Sequence, residues 1–196
     1  TTVFPDVAVG DTLVFSYKRT ISEPMFPNYF AESESFSEAV AYDDVHVDLA
    51  VPKSFKGLYK IRGMNEKILR KDKQVIYQWG WKNLKPSLSS RQDYSVWDME
   101  TTPGFAYTTF LSYKAIAEAY AVRALPKVAQ TDDIKNLAVE IVGKATDKRE
   151  QAKLIYEWVS TKISYAGNCV GVGAVVPHDT KFILDNRMGD CKDHAT

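Results

Sequence analysis

The sequence predicts an α+β protein, with an antiparallel β-sandwich over residues 1–128 and a helical unit over residues 129–196. Three observations lead there. Segments in the first part alternate apolar and polar residues with the period of two that a half-buried strand requires. Proline and glycine at Pro24, Pro27, Pro52, Gly57 and Pro86 cut that part into short strands, the pattern of a sandwich. Segments after residue 112 instead repeat apolar residues every 3.6 positions, each behind a residue suited to capping a helix.

Among the expected strands, TLVFSYKRT (12–20) places Leu13, Phe15 and Tyr17 on one face. VHVDLAVP (45–52) does the same with Val45, Val47, Leu49 and Val51, leaving His46 and Asp48 on the polar side. Pro52 ends it, because proline has no ladder donor. QVIYQWGW (74–81) is rich in β-branched and aromatic residues, and Lys71-Asp72-Lys73 before it suits a hairpin turn. The tyrosines and tryptophans between 77 and 97 suit core packing, or a surface that binds glycan or peptide.

The first expected helix starts behind Ser112, presents Tyr113, Ile116, Ala117, Tyr120 and Ala121 as one stripe, and is limited by Pro126. The second is capped by Thr131, with Asp132 and Asp133 against its positive start. Its buried stripe is Ile134, Leu137, Ala138, Ile141 and Val142. The third opens at Asp147, with Glu150 at capping-box spacing, and turns Leu154, Ile155, Trp158, Val159 and Ile163 inward. The stretch SYAGNCVGVGAVVPHDT has no period and reads as a surface loop or short hairpin. Its glycines Gly167, Gly171 and Gly173 do not have dinucleotide-binding or phosphate-loop spacing. TKFILDNRM (180–188) reads as a short helix capped by Asp179 or Thr180, with Phe182, Ile183 and Leu184 buried.

Composition narrows the function classes. The chain has 196 residues, 45% of them hydrophobic, with 25 basic residues against 25 acidic ones. That is enough apolar material for a packed core, and the balanced charge gives no support to a nucleic-acid partner. No apolar run approaches the roughly 20 residues of a membrane helix. Two cysteines are too few for a disulfide framework. Cys169 and Cys191 could pair with each other, but both are read here as thiols. No metal or other cofactor is expected. A zinc site from Cys169, His178, Cys191 and His194 fails on ligand spacing.

The chemistry concentrates in NRMGDCKDHAT. Gly189 is expected to be the left-handed residue that stops the 180–188 helix. Asp190 is a suitable N-cap for a further helix, with Cys191 in its first turn. A thiol there feels the partial positive charge of unpaired N–H groups, and the Cys191 N–H could donate to an oxyanion. The Asp190 carboxylate opposes thiolate formation unless its charge is spent on capping. Cysteine also commonly serves only to pack. His194, three residues on, could form a dyad with Cys191 or be a solvated helix-face residue. His178, after Pro177, could end a local turn or line the site. His46 reads as surface.

REQAKLIYEWVSTKISYAG, the Gly-rich stretch with Pro177-His178, and FILDNRMGDCKDHAT together resemble the start of the transglutaminase-like core of papain-like cysteine enzymes. VFPDVAVGDTLVFSY and FLSYKAIAEAY resemble parts of the DUF3857 β domain that precedes such cores in bacterial proteins. The resemblance implies Cys191 as nucleophile, with Gly189, Asp190 and His178 flanking it or helping form the oxyanion site. It implies an amide or ester substrate, on a peptide or protein, attacked to form a thioester. It also implies a bacterial, extracytoplasmic setting. The family's catalytic histidine and aspartate follow the cysteine by tens of residues and match no residue here. The chain is therefore expected to be a nearly inert fragment whose opening strands are missing. The exposed β edge that this leaves is expected to pair with another copy. A second reading keeps the β part as a docking module on a scaffold that does no chemistry.

Overall fold

The structure is a computed structural model that describes residues 3–87, 102–167 and 171–196. Its first part holds two three-stranded antiparallel sheets. In one, β6 (Gly104–Thr108) lies between β1 (Ala31–Ser35) and β3 (Leu58–Arg62). In the other, β5 (Gln74–Asn83) lies between β2 (Tyr42–Pro52) and β4 (Asn65–Arg70).

The two sheets meet through the inward residues of their central strands. Trp79 of β5 is fully buried and stacks on Phe105 of β6, with ring centroids 4.9 Å apart. Its indole N–H donates to Glu66 Oε1 at 3.0 Å, so the buried ring leaves no donor unpaired. Val45 and Met64 complete this cluster, and Val51, Val75 and Tyr107 form a second one beside it. The alternation expected in 45–52 is present, with Val45 and Val51 buried, Val47 and Leu49 half-buried, and His46 and Asp48 outward. His46 is exposed, 3.2 Å from Asp48. The hairpin at 71–73 joins β4 to β5, with Arg70 opposite Val75. Tyr77, Trp79 and Trp81 belong to the core or pack against it, so this part of the aromatic run is no exposed binding surface. Tyr94 and Trp97 lie outside the described residues.

TLVFSYKRT does not form a strand. Residues 12–20 have no regular secondary structure and every one of them is exposed. Alternation supplies a face, but a strand also needs a neighbour for its backbone groups, and among the described residues none pairs with this segment.

Five α-helices follow among the described residues. α1 (Tyr113–Ala124) is capped by Ser112, whose hydroxyl accepts from Ala115 N. Its expected stripe is not buried. Tyr113, Ile116 and Tyr120 are exposed, and Ala124 is its one buried residue. The 3.6 period is local, whereas burial needs an element packed on the stripe. α2 (Asp132–Val142) and α3 (Lys148–Lys162) pack on each other, capped by Thr131 and Asp147 as expected. The five stripe residues of α2 are half-buried, Ile163 after α3 is buried, and Ile155 is exposed at the border.

α4 (Thr180–Asn186) buries Ile183 and half-buries Leu184, but leaves Phe182 half-exposed at 50%. Phe182 stacks on His178 rather than entering the core. Asp179 stands at the N-cap position without a capping bond and pairs with Lys127 at 2.7 Å. The helix stops at Arg187, which adopts the left-handed conformation (φ 52°, ψ 36°) expected of Gly189. Its guanidinium lies over the Trp158 ring, 4.8 Å from the centroid, a cation–π contact that holds a non-glycine residue in that region.

Candidate functional site

A short parallel pair carries the chain into the site. β7 (Ser164–Tyr165), just after α3, pairs with β8 (Met188–Gly189). Ser164 N donates to Arg187 O at 2.8 Å, and Ala166 N to Gly189 O at 2.9 Å. α5 (Cys191–Ala195) starts immediately after this anchor.

Asp190 is the N-cap of α5, as expected. Its Oδ1 accepts from Lys192 N (3.2 Å) and Asp193 N (3.4 Å), while Asp193 Oδ2 accepts from Asp190 N at 3.1 Å. The two aspartates thus form a reciprocal capping box. The Lys192 ammonium also pairs with Asp190 Oδ2. That contact, with the N–H of Asp193, holds the Asp190 carboxyl below the usual range against the opposing effect of its burial. Its charge is therefore spent on capping and on Lys192.

Asp193 organises the surroundings and was not singled out from the sequence. It is buried, and it accepts from His178 N (2.8 Å, Oδ1) and faces His178 Nδ1 (2.8 Å, Oδ2), besides the Asp190 N–H. Burial pushes its carboxyl up, but the bonds from His178 and Asp190 outweigh that and leave it below the ordinary value. The sequence signal was present in the Asp-x-x-Asp spacing of a capping box.

Gly189 serves by close approach rather than by turn geometry. It is buried, and a Cβ placed on it would lie 2.6 Å from Asp193 Cβ. No side chain fits between β8 and the first turn of α5.

Cys191 has a free, exposed thiol as the first residue of α5. The N–H groups of Lys192, Asp193 and His194 all bond to Asp190. Among the described residues the Cys191 N–H has no acceptor, so it remains a donor toward solvent. Cys169 lies outside the described residues.

Neither nearby histidine hydrogen-bonds to this sulfur. His194 is not a solvated helix-face residue and is not a dyad partner. It is half-buried, with Nδ1 2.9 Å from Asp190 O and Nε2 3.1 Å from Ile163 O. Both ring nitrogens face carbonyl oxygens, to which only a protonated ring can donate at once, and these two bonds raise its pKa. The ring ties α5 to the end of α3. His178 lines a cleft of about 460 Å³ together with Arg123, Lys127, Val176 and Phe182, and Cys191 is not among its lining residues. A larger cavity of about 520 Å³ runs between α2, α3 and α4, lined by Ile134, Leu137, Trp158 and Ile183, with Asp193 and His194 at its edge. Among the described residues, no group of three or more His, Cys, Asp and Glu could hold a metal ion, and no helix is long and apolar enough to cross a membrane.

The comparisons agree with this architecture. The model of the DUF3857 family, a domain of unknown function with a solved structure, matches residues 1–87. No curated protein matches the chain. A crystal structure from Parabacteroides distasonis, named as a "putative protease", superposes with a TM-score of 0.70 at 18% identity. The match covers 87% of this chain and 33% of that one, so the chain spans about a third of its length. At that identity the likeness is one of fold.

Proposed function

We propose that the chain carries the nucleophile of a transglutaminase-like cysteine enzyme acting on amide or ester bonds of a peptide or protein. The observation that carries this reading is Cys191. It is an exposed thiol at a helix start, with an unspent N–H of its own and a neighbouring carboxylate neutralised by capping and by Lys192. The thiolate attacks the carbonyl carbon, and the Cys191 N–H donates to the resulting oxyanion. The C–N or C–O bond breaks as the leaving group takes a proton from the general acid. Water then releases the thioester as an acid, or an amine releases it as a new amide.

The general base is none of His46, His178 or His194. His46 is on the sandwich surface, His194 has both ring nitrogens on backbone carbonyls, and His178, whose Nδ1 faces Asp193, makes no hydrogen bond to the Cys191 sulfur. In this proposal the base and its orienting carboxylate lie outside the 196 residues. The division into a β domain, 1–128, and the first part of the catalytic core, 129–196, belongs to the same proposal, as does a bacterial extracytoplasmic setting.

The test is a peptide amide substrate offered to a longer protein containing this chain. An acyl-thioester on Cys191, trapped and located by mass spectrometry, is expected. Amide turnover that survives Cys191→Ser would overturn the assignment. The 196 residues alone should be slower by at least ~10²-fold, the contribution of a missing general base. Full turnover by them would return the base role to one of the three histidines.

A further inference from the structure

Residues 3–21 form an exposed arm. Val3, Phe4, Val7, Val9, Leu13, Val14, Phe15, Tyr17 and Ile21 are all exposed. Soluble proteins rarely leave so much apolar surface together without a use for it. The arm is attached firmly at its far end. Tyr29 stacks on Phe110 with centroids 4.0 Å apart, Phe26 meets the same ring edge-on, and Thr109 N donates to Phe30 O at 2.8 Å. Arg123 reaches Glu23 and the Pro24 carbonyl. Within the arm, Phe15 and Tyr17 share a face, their rings 5.6 Å apart. It therefore already has a strand's alternation while lacking a ladder among the described residues.

Among the described residues the two sheets offer four edges, and their chemistry differs. β1 carries Glu32 and Glu34 opposite Tyr107 and Phe105, both core residues, so acids stand on the inward side of that edge and block an added strand. β3 and β4 carry Lys60, Arg62, Lys67 and Arg70, which repel the Lys18-Arg19 end of the arm. β2 is the remaining edge. It pairs in regular register with β5 from Val45 to Pro52 after a bulge at its start. Its outward residues include Asp44 and Asp48.

We propose that the arm of one copy adds to the free edge of β2 in a second copy, giving a reciprocal dimer. Run antiparallel, with Leu13 opposite Val51, the arm sets Phe15 opposite Leu49 and Tyr17 opposite Val47. Leu13, Phe15 and Tyr17 then extend the sandwich core, and Arg19, opposite Val45, ends that face. Lys18 falls opposite His46, with Asp44 and Asp48 as its two diagonal neighbours on the outer face, within reach of a long side chain. The same chain supplies both halves, so exchange needs no new partner.

Sedimentation equilibrium of the full chain at tens of micromolar is expected to show a dimer. Phe15→Asp with Tyr17→Asp, both on the exposed arm, should yield a monomer with an unchanged circular dichroism spectrum. Lys18→Asp should weaken the dimer by about tenfold or more by placing a like charge beside Asp44 and Asp48. Mixing that variant with Asp44→Lys, Asp48→Lys chains should restore association as a heterodimer. A wild-type monomer overturns the proposal, as does a dimer indifferent to the arm substitutions. Failure of the charge swap to rescue overturns the assignment to β2.

Discussion

His178 and Asp193, fifteen residues apart in sequence, are joined twice at 2.8 Å, once through the His178 backbone N–H and once through its Nδ1. The bond pins the loop before α4 to the first turn of α5, and the same carboxylate closes the capping box on Asp190. The position of Cys191 therefore depends on a buried acid two residues further on.

Asp193→Asn should cost about 1–3 kcal/mol, since it leaves buried donors without their acceptor. Urea denaturation measures it. The Cys191→Ser variant, at an exposed side chain, should stay within about 0.5 kcal/mol of wild type in the same experiment.

Stability should fall in acid. The folded pKa values of Asp190 and Asp193 are both lowered, so the unfolded chain binds protons first as pH drops. The stabilisation from these two acids is complete above the unfolded carboxylate pKa of ~3.9. It is lost as pH falls through the depressed folded values. Denaturation midpoints measured downward from that point should fall for wild type and fall less steeply for Asp193→Asn.

His194 acts in the opposite direction. Its folded pKa is raised by bonds to the Asp190 and Ile163 carbonyls. The stabilisation it gives is complete below the unfolded value of ~6.5 and is lost as pH rises through the folded one. NMR titration of its ring should place its midpoint above the ordinary histidine value of ~6.5. The alkaline loss of stability should shrink in His194→Ala.

Gly189→Ala should destabilise by about 1–3 kcal/mol, the usual cost of overpacking, because its Cβ would lie 2.6 Å from Asp193 Cβ. Thermal unfolding measures the loss, and alkylation of Cys191 by iodoacetamide should change with it as the α5 turn shifts. An unchanged unfolding temperature would show that α5 moves freely away from β8.

Asp190→Ala should cost about 0.5–2 kcal/mol, the range for losing an N-cap, and should slow alkylation of Cys191 by fraying the helix start. Asp190→Asn keeps an acceptor for the helix N–H groups and should recover most of the stability.

The features legible in the sequence are those made by neighbours along the chain. Ser112, Thr131, Asp147 and Asp190 cap their helices within three residues, so residue type and spacing suffice. The 45–52 face and the 71–73 hairpin follow from a period of two and a short turn. Position, burial and partnership were decided by tertiary structure. The arm at 12–20 has a strand's pattern, but its strand character depends on a neighbour. The stripe of α1 has a helix's period and still faces solvent. Gly189 was expected to relieve a backbone turn. Instead Arg187 makes that turn with its guanidinium over Trp158, and Gly189 makes room for Asp193. His194 could be a dyad partner or a solvated helix-face residue until the Ile163 carbonyl, 31 residues earlier in the chain, was brought to its Nε2. Local hydrogen bonds are encoded by spacing, whereas a side chain's use depends on which distant group packing brings within about 3 Å of it.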